Sequence, residues 1–215
     1  MVNFGKAFTY IFDDEQWFDK LIVPILVSLI PIIGSMAFTG YILRTTKNVI
    51  QNEIDPLPKF DFGEDLERGF RFFLVGLVYS LPIMLVVGMM TIPLMTLNNT
   101  DTVSALGVIF LILGGLVMLA YGLLMMFIQP VAMANFAVKD TFASGFEFGN
   151  FFKRLNSNFK VWLLVIAGML IASIISPMGS IVFGIGAFVT TAYSQLMVAH
   201  LTGQAYTASD TNCCN

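Results

Sequence analysis

Very few groups in this chain could do chemistry. There is one histidine, His200, and the only cysteines are the adjacent Cys213 and Cys214. Intramembrane hydrolysis would need a nucleophile with its base, a pair of carboxylates or a bound metal. His200 has no Cys, Asp or Glu at ligand spacing, and zinc takes three or four protein ligands. Its expected place is the cytoplasmic end of the last helix, as an interfacial or helix-terminal group rather than an axial ligand to haem or chlorophyll. Neighbouring cysteines rarely bridge each other, so no disulfide framework is expected. Cys213 and Cys214 read as part of a disordered tail in preference to a lipidation or metal site. No catalytic, cofactor-binding or metal-binding residue is assigned, and no enzyme is expected.

What remains is neutral polarity within apolar stretches: Ser28, Thr39, Tyr41, Tyr79, Ser80, Thr91, Tyr121, Gln129, Thr190, Thr191, Tyr193 and Gln195. Ion-coupled carriers place ionisable groups in the membrane, and these stretches hold no acidic or strongly basic residue. Such hydroxyls and amides could line a path for a neutral solute or a lipid groove, or simply bond to backbone carbonyls and neighbouring helices. Two functions follow. The first is a non-enzymatic accessory or scaffold subunit of a larger membrane complex. The second is a transporter or channel for a small neutral or lipidic substrate.

The elements that position these groups are membrane helices. Of 215 residues, 57% are hydrophobic and 12% charged, about half the charge of a soluble domain. The net charge of −3 suggests no nucleic-acid partner. No basic region followed by an apolar core and a cleavage site opens the chain, so no removable signal peptide is expected.

Four uncharged stretches stand out: 21–43, 72–97, 103–138 and 161–209. At about 20 residues per span, the second is one helix, ending near Asn98-Asn99-Thr100-Asp101. The third leaves the membrane at Gln129-Pro130, its remainder projecting into the interface. The fourth crosses twice, reversing at Ser176-Pro177-Met178-Gly179-Ser180. The first is one kinked helix or a hairpin turning at Pro31-Ile32-Ile33-Gly34-Ser35, with arms from Trp17 to Ile30 and Ser35 to Ile50. Phe60-Asp61-Phe62-Gly63 and Phe146-Glu147-Phe148-Gly149 share a pattern, and Phe4, Gly5, Phe8, Trp17, Gly34, Ser35 and Phe38 align with Phe148, Gly149, Phe152, Trp162, Gly179, Ser180 and Phe183. The chain then reads as three units, each a lead-in followed by a helical hairpin. With six spans and cytoplasmic termini, every Lys and Arg falls on the cytoplasmic side. With five, Lys6 and Lys20 move outside, so six spans are expected over five.

The lead-ins read as helices lying on the membrane. Phe4, Phe8, Ile11 and Phe12 form one stripe, and Phe148, Phe151, Phe152, Leu155 and Phe159 another, with Lys153 and Arg154 beside it. Such helices bury aromatic groups at the acyl boundary while basic groups meet phosphates. Phe4, Phe8, Phe12, Arg68, Arg71, Phe148, Phe151, Phe152, Lys153 and Arg154 are the candidate contacts with lipid or with other membrane subunits. Between Arg44 and Arg71, Asp55-Pro56-Leu57-Pro58 breaks the preceding helix. Glu64, Asp65 and Glu67 then open the next one at its positive end. Alternating charge there reads as a self-paired surface or a docking face.

Leu29-Ile30-Pro31-Ile32-Ile33-Gly34, Gly40-Tyr41 with Arg44, Leu57-Pro58, Phe60-Asp61, Phe146-Glu147-Phe148 and Leu201-Thr202-Gly203-Gln204-Ala205-Tyr206 together resemble the domain of unknown function 4013, a family of prokaryotic membrane proteins. The resemblance covers most of the chain and implies a cytoplasmic-membrane protein without a defined activity. The expected architecture is an all-α, polytopic transmembrane bundle over residues 1–206, followed by a short flexible tail over 207–215.

Overall fold

A computed structural model describes residues 2–97, 105–181 and 185–211. Among them the secondary structure is helical: α1 (Lys6–Thr9), α2 (Trp17–Ser28), α3 (Ile33–Ile50), α4 (Phe62–Leu97), α5 (Ala105–Lys139), α6 (Phe148–Ser157), α7 (Phe159–Met178) and α8 (Ile185–Thr211). Short 3-10 turns at Phe142–Phe146 and Gly179–Ile181 lead into α6 and toward α8. This is the all-α bundle that the composition implies. Three helical segments are long and apolar enough to cross a membrane: Phe62–Thr91, Gly107–Lys139 and Phe159–Met178.

The first apolar stretch is a hairpin rather than a kinked helix. Pro31 ends the first arm, and the Ile33 N–H donates to the Pro31 carbonyl at 2.7 Å across Ile32. Ile32 sits at φ 65°, ψ −67°, the less favourable hand of a γ-turn and costly for a β-branched residue. Gly34 lets the arms close, because a Cβ there would overlap the Val27 carbonyl. The 12 residues of α2 measure about 18 Å, short of the roughly 30 Å hydrocarbon core.

The opening of α4 follows from its sequence. The Glu64 N–H donates to the Asp61 carboxylate at 3.0 Å, an N-cap, while the Asp61 N–H donates to Asp65 at 3.0 Å. Just beyond this opening, Gly40 of α3 lies against the Asp65 carbonyl and Gly69 of α4 against the Met36 carbonyl, so closely that a Cβ at either would overlap backbone. These two helices therefore cross in contact along their main chains. By contrast, α4 and α5 continue well beyond that crossing with wide apolar faces uncovered by protein, among them Leu85, Leu116 and Leu119.

The helix α8 is the hub. Met197, Leu201 and Ala205 join Trp162, Val165 and Phe151 in one core cluster. Ala192, Leu196 and Ala199 join Tyr10, Leu21, Phe38 and Tyr41 in another. A third cluster ties Leu43 and Val75 to Phe136 and Ala137.

Three expectations change here, and a fourth is narrowed: α5 runs unbroken through Gln129-Pro130 to Lys139, and Val131, Ala134 and Phe136 are fully buried. Pro130 only removes the N–H that would bond the carbonyl four residues back. The reversal after α7 comes later than Ser176, which is helical. The tail does not begin at residue 207, since α8 holds to Thr211 and Ser209 is buried. The first lead-in is no surface helix. Its helical part is one turn, α1, and it is stitched to α8: the Tyr10 hydroxyl donates to the Leu196 carbonyl at 2.9 Å and the Tyr193 hydroxyl to the Phe8 carbonyl at 2.9 Å. The turn expected at Asn98-Asn99-Thr100-Asp101, the aligned Phe183, and Cys213 and Cys214 lie outside the described residues.

Charged residues gather where α3 ends, α4 begins, α5 ends and α8 ends. Arg44 bridges Asp65 at 2.7 Å and Glu64 at 3.2 Å. Arg68 reaches Glu64 at 3.2 Å and Asp140 at 2.9 Å. Asp140 follows α5 at φ 51°, a left-handed position that Asp tolerates. Lys139 bonds Glu147 at 2.6 Å and keeps that carboxyl below the usual carboxylate range. Within the segment from Arg44 to Arg71 the charges thus pair with one another and, through Arg68 and Arg71, with Asp140.

Candidate functional site

Five helices surround a cavity of about 750 Å³. Each contributes one stripe at helical spacing, as side chains on a single face must. From α3 come Ser35, Met36, Thr39 and Ile42; from α4, Gly69, Phe72, Phe73, Gly76, Leu77 and Ser80. Gln129, Pro130 and Met133 of α5 close one end. Met169, Ala172, Ser173 and Ser176 of α7 face Thr191, Ser194, Gln195, Val198 and Thr202 of α8. Among the described residues α4 and α7 make no contact with each other, and α5 meets both.

No lining residue carries a charge. Most of the hydroxyl protons are already spent on backbone: Ser35 donates to the Ile32 carbonyl at 2.7 Å, Thr39 to Ser35 at 2.8 Å, Ser80 to Leu77 at 2.7 Å and Ser173 to Leu170 at 2.7 Å. Ser176 and Thr191 share a hydrogen bond of 2.7 Å. Their remaining lone pairs accept. The two amides differ, for Gln129 and Gln195 have no partner among the described residues and are exposed to open space. The Thr202 hydroxyl is buried without a partner. Both amides are thus free to bond a molecule held in the cavity. The cavity offers donors, acceptors and apolar wall, with nothing to neutralise a phosphate or carboxylate.

Residues 23–195 match a family described as a protein of unknown function, DUF4013. The chain belongs to the DUF4013 family. The matched region holds every cavity-lining residue except Val198 and Thr202. Uncharacterized protein MJ1189 of Methanocaldococcus jannaschii is 29% identical to this DUF4013 chain over 168 residues, covering 74% of this chain and 54% of that protein. The chain thus spans about half the length of the curated relative it matches. No solved structure matches.

Of the polar groups singled out from the sequence, Thr39, Ser80, Gln129, Thr191 and Gln195 meet at this cavity. Three of the others bond the frame: Tyr79 donates to the Gly145 carbonyl at 2.6 Å, Tyr121 to the Tyr79 carbonyl, and Thr190 to the Ser176 carbonyl at 2.7 Å. Ser35, Ser173, Ser176, Ser194 and Thr202 are cavity residues that the sequence reading did not select. Spacing alone could have found them, since Thr191, Ser194, Gln195, Val198 and Thr202 follow one face of α8.

The surface candidates divide. Phe12, Phe148 and Phe152 are exposed, and Lys153 faces outward beside them. Phe4 and Phe8 are half-buried against the core. Phe151 is a core residue, 4% exposed. Arg154 is buried too: it lies over the Tyr206 ring at 3.6 Å, donates to the Tyr206 carbonyl at 3.2 Å and pairs with Asp210 at 2.8 Å. Its guanidinium is occupied by α8. Arg68 and Arg71 are likewise engaged, with Asp140. His200 is buried rather than interfacial, stacked on Tyr10 with ring centres 4.2 Å apart and bonded to Gln204 at 2.7 Å. The surface helix expected of the third lead-in is therefore α6 with only one aromatic face outward.

Proposed function

We propose that this DUF4013 protein is a non-enzymatic protein of the cytoplasmic membrane that binds a neutral amphiphile inside its helical bundle, as a carrier or channel for that lipidic substrate. The observation that carries the proposal is the pair of unpartnered amides, Gln129 and Gln195, in an uncharged cavity. A hydroxyl, ester or amide head satisfies both, and an alkyl chain covers Phe72, Phe73, Leu77, Met133 and Met169. A charged head finds no counter-ion there and pays its full desolvation.

The test is native mass spectrometry of the protein in mild detergent with lipidomics of what it retains. A bound uncharged lipid, lost from the Gln129→Leu/Gln195→Leu variant while the thermal midpoint holds or rises, is the expected result. An empty wild-type protein, or equal retention by the variant, overturns the reading.

A second reading, an accessory or scaffold subunit, draws on the uncovered apolar length of α4 and α5. It shares the same arrangement in the membrane: six spans in three hairpins, the first a short one, with both termini and all basic residues on the cytoplasmic side. In that arrangement a tag at Met1 and a reporter at Lys59 both score cytoplasmic in protease-protection or fusion assays. Opposite sides would leave five spans.

A further inference from the structure

A second cavity of about 340 Å³ adjoins the first, lined by Ser28 of α2, Phe38 of α3 and Ala187 and Phe188 of α8. Four residues line both: Ser35, Thr39, Thr191 and Gln195. They are two pairs spaced four residues apart, one on α3 and one on α8, so each pair lies on one face of its helix. The wall between the two cavities is thus a polar waist set at the meeting of α3 and α8. The smaller chamber reaches toward the hairpin tips, where α2 ends and α8 begins. The larger reaches Gly69 and Thr202, close to the charged end of the bundle.

Along α8 the combined lining runs from Ala187 to Thr202, about 22 Å of a hydrocarbon core roughly 30 Å thick. The groups at the waist are unusual for a plug. Ser35 and Thr39 direct their protons to their own helix, at 2.7 and 2.8 Å, and Thr191 shares a hydrogen bond with Ser176. Acceptor lone pairs are left facing the gap beside the free amide of Gln195. A sugar or glycerol hydroxyl, which both donates and accepts, is matched by that set at either chamber, whereas a phosphate or ammonium is matched at neither.

We infer that the two chambers and their Ser35–Thr39–Thr191–Gln195 waist form a transbilayer passage for the hydroxyl-bearing head of an uncharged lipid. The head crosses the waist while the chains stay in the bilayer. This inference rests on the binding reading above and adds movement to it. Thr39→Val/Gln195→Leu keeps the volume of the waist and removes its acceptor and its amide.

The experiment reconstitutes the full chain into phosphatidylcholine vesicles carrying either NBD-glucosylceramide, with an uncharged sugar head, or NBD-phosphatidylserine. Dithionite bleaches outer-leaflet probe. The expected result is a several-fold faster loss of the protected inner-leaflet glucosylceramide signal, no such change for phosphatidylserine, and return to the protein-free rate with the waist variant. Native mass spectrometry of the same preparation with glucosylceramide separates the two readings. Binding without movement overturns the passage and leaves the binding reading standing, and neither binding nor movement removes both. Equal movement of phosphatidylserine, or an unimpaired waist variant with an unchanged melting profile, also overturns the passage.

Discussion

Replacing Asp65 with alanine is expected to lower the stability of the folded bundle by about 3–5 kcal/mol, the usual consequence of removing one partner from a buried ion pair. The Asp65 side chain is fully buried and Arg44, its partner at 2.7 Å, is 14% exposed. With Asp65 gone, Arg44 keeps Glu64 at 3.2 Å, but that carboxylate is half in solvent and screening weakens it. The Asp61 N–H at the start of α4 loses its acceptor as well. Asp65→Asn preserves that acceptor and should fall between wild type and alanine. Replacing both Arg44 and Asp65 by leucine should recover much of the loss, because neither charge is then stranded. Unfolding monitored by helical circular dichroism in an SDS titration reads all four proteins. An alanine variant within 1 kcal/mol of wild type, about the net worth of an exposed pair, would mean that this pair is solvated.

The second large effect concerns the crossing of α3 and α4. Gly40→Ala and Gly69→Ala should each destabilise the bundle by more than the roughly 1–3 kcal/mol typical of an overpacked side chain. The obstructing atoms are backbone carbonyls, of Asp65 and Met36, and cannot rotate away. The helices must separate, which also disturbs the Arg44–Asp65 pair and the cavity wall at Gly69. Gly88→Ala is the control, since a Cβ there meets nothing within 4 Å and alanine favours the helix. The same titration, with yield of folded protein as a second readout, should rank Gly88→Ala at or above wild type and both crossing variants well below. Similar behaviour of all three would contradict this packing.

The periodicity and composition of the chain made much of this fold legible. Pro31 and Gly34 placed the turn of the first hairpin without deciding it against a kinked helix, and Glu64 and Asp65 marked the start of α4, because caps and breakers act over a few residues. The failures have a common cause. Phe151 and Arg154 sit in an amphipathic segment, and periodicity reveals faces without saying which one meets protein. The Arg154 assignment turned on Tyr206, Ser209 and Asp210 of a distant helix. Tertiary partners likewise buried His200 and drew the first lead-in onto α8. At the cavity, the conspicuous residues Gln129 and Gln195 were legible, while Ser173, Ser194 and Thr202 looked like ordinary helix residues until five stripes converged.

The stitching of the N-terminal segment to α8 sets an order of events during synthesis. The Asn3 N–H donates to the Gln204 side chain at 2.6 Å, and Tyr10 waits for the carbonyl of Leu196. A ribosome adding about 5–20 residues per second places roughly 10 to 40 s between the two partners. Throughout that interval Ala7, Tyr10 and Ile11 have no α8 to bury them, and the insertion machinery or a chaperone must shelter the segment. The helix that fastens Ala7, Tyr10 and Ile11 is therefore made well after they are.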